Sequence, residues 1–420
     1  MIGLVRREGF TMVSKRCVIA LAGCLLAAVP AHAETEAVVY SFAGGSDGNN
    51  PNVSLINVGG LFYGTTSVGG GSANCEDGCG TVFSVTPSGQ ETVLYAFKGG
   101  SDGAYPYASL LKFDGRFYGT TGLGGSSNCT DGDGCGTVFS LTSAGKEKVL
   151  YRFDIGDNGT STDGIDPIGS LVNVDGTLYG ATGFGNGAAE YGTVFSVTPA
   201  GLESVVYEFP DYGGGGHLYD GAGPSAGLIN VGGMLYGTTA SGGTAGHGVV
   251  FSVTPGGSEN VVYSFKGSSD GANPTGGLIN IGGVLYGTTN DGGAPSGGCP
   301  GGCGTVFSVT TAGVETVLYS FTGVHDGAYP QSSLLKVGDK LIGTTQWGGD
   351  ITCNKHQEFE GCGTVFSVTL TGTEKISYSF KGGSDGAYPY AGLIDVGGVL
   401  YGTTSSGGAH NFGTVFSLTR

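Results

Sequence analysis

The phrase "GTVFSVT" or a near copy occurs seven times, with its Phe at positions 83, 139, 195, 251, 307, 366 and 416. Successive steps are 56, 56, 56, 56, 59 and 50 residues. Two other markers keep the same count. "YGTT" or a variant starts at 63, 118, 179, 236, 286, 342 and 401, and a "DG" pair followed by Pro leads to Pro51, Pro106, Pro167, Pro224, Pro274, Pro330 and Pro389. A period of this size marks one supersecondary unit that buries its apolar faces against its neighbours, so the repeat sets the architecture.

Each unit holds four strand signals. In residues 107–153 a short apolar run "SLLKF" meets the tight turn "DG" at 114–115, where both positions favour positive φ. "RFYGTT" follows, then an irregular loop, "GTVFSLT", a Gly-containing turn and "KVLYRF". Apolar residues fall on both faces of the last two strands, as in a sheet covered on both sides. The ends explain how seven such sheets close. Residues 36–42, "EAVVYSF", copy the fourth strand, and the chain finishes on a copy of the third. A first segment that completes the last sheet latches a ring and leaves only short protected edges. The expected fold is all-β: a seven-bladed β-propeller with four antiparallel strands per blade. The blades are expected near 53–97, 107–153, 168–209, 225–265, 275–321, 331–380 and 391–420 plus 36–42, as a single domain over 34–420.

The phrases "YGTT…GG…GTVFSVTPSG" and "GGSDGAYP" resemble the GloVer tandem repeat, named after Gloeobacter and Verrucomicrobia, across nearly the whole of 34–420. The resemblance implies an exported bacterial repeat protein. It brings no activity and no site residues. The strand order of the unit also resembles kelch repeats, which is an analogy of fold alone.

Residues 1–33 read as a secretory signal: a basic stretch (Arg6, Arg7, Lys15, Arg16), an apolar run from Cys17 to Val29, and small residues at Ala31 and Ala33 before a cleavage point. A lipid anchor on Cys24, in "LAGC", is the alternative. The expected destination is periplasmic or secreted, or lipid-anchored on the alternative, with no membrane span. Removing 1–33 takes away 4 of 17 Lys+Arg and 1 of 34 Asp+Glu, leaving 13 against 33 and a net charge of −20. Such a surface excludes nucleic acid and anionic lipid as partners. A monomer is expected.

The turns between first and second strands, and between third and fourth, are minimal. The loops on the opposite face vary, and variable loops on a rigid scaffold carry function. Loops of 13, 14, 14 and 17 residues between "TT" and "GTVFS" hold the pairs Cys75/Cys79, Cys129/Cys135, Cys299/Cys303 and Cys353/Cys362, whereas loops of 9, 8 and 8 residues hold none. In an exported protein these pairs are predicted to be local disulfides that hold the long loops in shape. Two thiols per loop do not satisfy tetrahedral zinc. No cofactor is expected; calcium at the Asp-rich stretch 154–166 is the weak alternative.

Residues shared by all blades serve the blade, so a ligand site should break the repeat. The seven "DG" Asp residues and the Glu opening each fourth strand read as structural on this rule. Blade 6 departs furthest, with the only Trp, Trp347, beside His356 and Glu358, and with His325, Asp326 and Tyr329 in the stretch leading into it. Tyr-Pro pairs add Tyr388 and Tyr390 in blade 7 and Tyr105 and Tyr107 in blade 2. An aromatic face with polar neighbours suits a sugar or a peptide. The expected function is therefore an exported binding or adhesion module for carbohydrate or a cell-surface protein. The alternative is a polysaccharide lyase or hydrolase drawing acid and base groups from the blade 6 loops.

Overall fold

The structure is a computed structural model. It describes residue 3 and residues 34–127, 129, 133–155, 163–184, 191–210, 219–295, 299–353 and 360–420. The signal segment, Cys24, His356 and Glu358 lie outside the described residues. The chain divides into two units, Met1–Ala33 and Glu34–Arg420.

The second unit is a seven-bladed β-propeller. Blade 1 pairs 56–58, 61–66, 81–85 and 91–96 in that order, and blades 2, 3, 5 and 6 repeat it. Blade 4 adds the short strand Ala222–Pro224 beside Met234–Ser241. Blade 7 takes 394–396, 399–404 and 414–419 from the C-terminus and Thr35–Ser41 from the other end of the chain. Thr35–Ser41 lies antiparallel to Thr414–Thr419, with Thr35 opposite Thr419 and Ser41 opposite Thr414. The ring is latched as the sequence predicts.

The three repeated markers meet in space. Each "YGTT" Gly sits opposite the Phe of "GTVFS" on the paired strand, as Gly64 does with Phe83. A Cβ on Gly64 would stand 2.7 Å from that ring, so only glycine lets the Phe lie flat across the second strand. Every such Phe is fully buried and meets an aromatic edge from the blade before it. Phe42 with Phe83 and Phe321 with Phe366 are edge-to-face pairs at 5.0 Å. A buried edge-to-face pair adds about 0.5–1.5 kcal/mol beyond its area. The Gly that opens "GTVFS" takes positive φ and abuts the leading Pro of the next blade: a Cβ on Gly80 would lie 2.5 Å from Pro106 Cδ. Phe, Gly and Pro thus recur because each builds a contact that the ring needs seven times.

The outer seams are equally constant. The Tyr near the end of each fourth strand donates its hydroxyl to the next "DG" Asp. Tyr40 does so to Asp47 at 2.9 Å, Tyr95 to Asp102 at 2.6 Å and Tyr319 to Asp326 at 2.7 Å. Most of these carboxylates also accept a backbone N–H four residues before, such as Lys98 N to Asp102 at 2.8 Å. The Glu opening the following blade's fourth strand approaches the same Asp. Half-burial, then the Asp carboxylate, pushes Glu91 up to about 8 and Glu147 up to about 7. The sequence suggests an exposed charge guarding an edge for these Glu residues. The structure places them half-buried in the seams, with their carboxyls raised toward neutrality.

Candidate functional site

Residues leading into the first strands of all seven blades surround one axial channel. Its floor is tight, about 120 Å³, because small residues such as Ser54, Ser109, Ser170 and Ser333 crowd it. Above it, on the long-loop face, the channel opens into a cup of about 590 Å³. That volume falls within the range of small-molecule sites.

Three positions supply the lining. One is the residue after the leading Pro: Asn52, Tyr107, Ile168, Ser225, Gln331 and Tyr390 reach the cup. Another follows "TT", contributing Trp347, Ser405 and Ser406. The third, the residue before the leading Pro, contributes Asn50 and Tyr388. The last two are fixed by backbone pairing. Trp347 exchanges hydrogen bonds with Ala328, N–H to O at 3.1 Å and O from N–H at 2.9 Å. The residue before each leading Pro donates its N–H to the preceding blade: Tyr388 to Cys362 O at 2.9 Å, Tyr329 to Cys303 O at 3.0 Å, Asn50 to Phe412 O at 3.0 Å. To do so these residues take left-handed backbone, with φ of +59° at Asn50, +56° at Tyr105 and +59° at Tyr388.

The cup is aromatic on one side and polar on the other. Tyr107, Trp347, Tyr388 and Tyr390 supply rings, and Trp347 packs on Tyr388 at 4.5 Å between centroids. Gln331 Nε2 donates to Gln346 Oε1 at 2.9 Å, and Gln346 Nε2 donates to the Tyr390 hydroxyl at 2.5 Å, tying blades 6 and 7 together. The amide oxygens of Asn50 and Asn52 are buried and accept no hydrogen bond from the described residues. Buried acceptors of this kind are rare and call for a donor. Among the described lining residues none is Asp, Glu, His, Lys, Arg or Cys. Burial raises the phenols of Tyr107, Tyr388 and Tyr390 above their ordinary range, so they stay neutral.

The structure brings together four of the sequence candidates, Tyr107, Trp347, Tyr388 and Tyr390. Tyr105 stacks on Tyr107 at 6.3 Å without lining the cup, and Tyr329 packs into the cluster around Cys299 and Cys303. His325 is exposed on the outside. Asp326 is committed to its seam, accepting from the Tyr319 hydroxyl and from the N–H groups of Thr322 and Gly323. These two do not join the cup, because the "DG" turn sits at the outer end of the blade and the residue after Pro at the inner end. Sequence reasoning missed Asn50, Asn52, Ile168, Ser225, Gln331, Ser405 and Ser406. Stacking the seven repeats and reading the column after Pro would have found four of them. Among the described residues no group of three or more His, Cys, Asp or Glu side chains could hold a metal ion.

All four predicted disulfides are formed: Cys75–Cys79, Cys129–Cys135, Cys299–Cys303 and Cys353–Cys362. Beyond closing the long loops, the sulfurs are part of the core between blades. Cys79, Cys135, Cys299, Cys303 and Cys362 are at most 2% exposed. Cys129 and Cys135 pack with Tyr118 and Val138 of blade 2 and with Leu178 and Phe195 of blade 3. The Cys135 carbonyl also accepts the Asp166 N–H at 2.9 Å, the seam bond into blade 3. The reason is position: the second Cys of each pair stands two residues before the "GTVFS" strand, where the chain already faces the next blade. A Cβ on Gly99, in the next linker, would meet Cys79 Sγ at 2.9 Å, and one on Gly382 would meet Cys353 Sγ at 2.6 Å. At the matching place His247 lies against Gly267 and Phe412 against Gly44. The cystines therefore plug blade junctions of the kind that a ring side chain fills after blades 4 and 7.

A family model described as the Gloeobacter/Verrucomicrobia repeat matches residues 20–164, 133–353 and 293–420. No curated protein matches the chain. Among solved structures, it is similar to a periplasmic gluconolactonase of Pseudomonas aeruginosa, with 17% identity, 79% of this chain and 85% of that one covered, and a TM-score of 0.49. It is also similar to an ulvan lyase of polysaccharide lyase family PL25, with 9% identity, 85% and 97% covered, and a TM-score of 0.44. A neuraminidase-like protein of a flat-faced bat virus gives 10% identity, 72% and 84% covered, and a TM-score of 0.40. Likenesses at these scores carry no argument about ligand or chemistry.

Proposed function

The chain belongs to the Gloeobacter/Verrucomicrobia repeat family, and we propose that this member is an exported module that binds a neutral carbohydrate in its channel-mouth cup and does not turn it over. The observation that carries the reading is the chemistry of the lining: four aromatic rings, amides and hydroxyls, and no Asp, Glu, His, Lys, Arg or Cys among the described residues. A sugar offers C–H faces to the rings and hydroxyl donors to the buried oxygens of Asn50 and Asn52. Most glycoside hydrolases use a pair of carboxyl groups flanking the bond, and the cup's described lining offers none. A uronate or sulfated chain would need a cation, against a net charge of −20 for 34–420 (13 − 33).

Export is supported by the four disulfides, since such bonds persist in oxidising compartments. No helix among the described residues is long and apolar enough to cross a membrane. The test is to incubate the purified protein with neutral and acidic oligosaccharides and to follow both binding and product release. Saturable binding of a neutral glycan with no new reducing ends or unsaturated products supports the module. Product formation at a catalytic rate overturns it in favour of an enzyme.

A further inference from the structure

The position before the leading Pro is the most constrained backbone site near the cup. In blades 1, 3, 4 and 5 it holds Asn50, Asp166, Gly223 and Asn273, residues that tolerate the left-handed region. In blades 2, 6 and 7 it holds Tyr105, Tyr329 and Tyr388, at φ of +56°, +56° and +59°. A bulky aromatic in this region is strained, and the same seam hydrogen bonds are made by Asn in neighbouring blades. The scaffold therefore does not require tyrosine there.

What sets Tyr105 and Tyr388 apart is the ring packed beside each. Tyr105 is stacked under Tyr107, with an interplanar angle of 13°. Tyr388 meets Trp347 across the junction of blades 6 and 7. Tyr107 and Trp347 both line the cup. On the reading that the cup binds ligand, we propose that Tyr388 and Tyr105 are accepted in strained backbone because their rings set the angle of Trp347 and Tyr107, with Tyr388 also forming part of the cup wall. Each pair makes a two-ring platform fixed at its base by a seam hydrogen bond. The platforms come from different blades, so a flat ligand is gripped between rigid surfaces with few rotamers left to freeze on binding.

Trp347 is the only Trp in the chain, so its fluorescence reports one platform without a label. The experiment compares wild type, Tyr388→Phe and Tyr388→Asn by thermal melting, by acrylamide quenching of Trp347, and by titration with a neutral oligosaccharide. Tyr388→Asn is expected to keep the fold, because Asn serves this position in two other blades. It should raise the quenching constant at least twofold and weaken the glycan at least tenfold. Tyr388→Phe should match wild type in both. Unchanged quenching in Tyr388→Asn overturns the positioning role even if the glycan still binds. A changed quenching constant with no glycan response in wild type keeps the platform and sinks the binding reading. A melting loss in Tyr388→Asn with Trp347 unperturbed means a purely structural residue and overturns the proposal.

Discussion

Seven outer seams carry the same Tyr, Asp and Glu, while the inner rim of the same blades carries Asn52, Tyr107, Ile168, Ser225, Thr275, Gln331 and Tyr390. The two regions are only a few residues apart along each linker. At the seam a fixed geometry recurs, so substitution costs stability at every blade and the residue types stay the same. At the rim the leading Pro and the left-handed residue before it hold the backbone, and the next side chain projects into open space. Variation there costs the fold little, which frees that position to shape a ligand site.

The comparison breaks most visibly where a constant residue is truncated. Phe307→Ala removes a ring packed edge-to-face with Phe265 at 5.0 Å and fully buried. It should cost about 3–5 kcal/mol in denaturant unfolding. A loss below about 1 kcal/mol would mean that the Phe ladder is not what joins the blades.

Next in size are the junction plugs. Replacing Cys353 and Cys362 together by Ser should cost about 2–3 kcal/mol from loop entropy alone, plus the packing against Gly382. Phe412→Ala, the non-cystine counterpart, should lower the melting temperature by a similar amount. If Phe412→Ala is silent, ring and cystine are not equivalent plugs.

The seam glutamates give a pH dependence with a definite sign. Burial and the neighbouring Asp raise Glu36 from 4.5 to about 8, and burial raises Glu203, Glu259, Glu315 and Glu374 from 4.5 to about 7. A carboxyl whose folded value is raised stabilises the fold while protonated and loses that contribution as pH climbs toward the folded value. The melting temperature should therefore fall between about pH 5 and pH 9, and Glu→Gln at several seams should flatten the slope. A melting temperature that is flat or rises through this window would show that the folded seam glutamates do not hold their protons more tightly than the unfolded chain does.

The smallest effect on stability is expected at the rim. Asn52→Ala should change unfolding by about 0.5 kcal/mol or less and Gln331→Ala, which removes the bond to Gln346, by about 1 kcal/mol, yet each should weaken glycan binding tenfold or more. Equal losses of stability and affinity would erase the distinction between the two regions.

The ring was legible in the chain because it is written seven times and because the first strand copies the fourth. The cystine pairs were legible because each lies within one loop. Their place in the blade junctions was not, since the partners of Cys135 include Leu178 and Phe195 of the next blade. The Tyr–Asp–Glu seams were hidden for the same reason: Tyr95 and Glu147 belong to adjacent blades, 52 residues apart in the chain (147 − 95). Only packing shows that one Asp serves both. At the cup, rare residues such as Trp347 and the Tyr-Pro pairs stood out. Asn52 and Gln331 did not, because a common polar residue becomes informative only once its column is known to face the channel.

The central claim is that ligand recognition resides in the varied inner cup and depends on an uncharged aromatic surface. It is tested most directly by calorimetric titration of the protein and of Trp347→Ala with matched neutral and acidic oligosaccharides. The account predicts saturable heat from a neutral glycan, none from its acidic counterpart, and loss of the signal in Trp347→Ala. Binding confined to acidic glycans, or undiminished in Trp347→Ala, would contradict it.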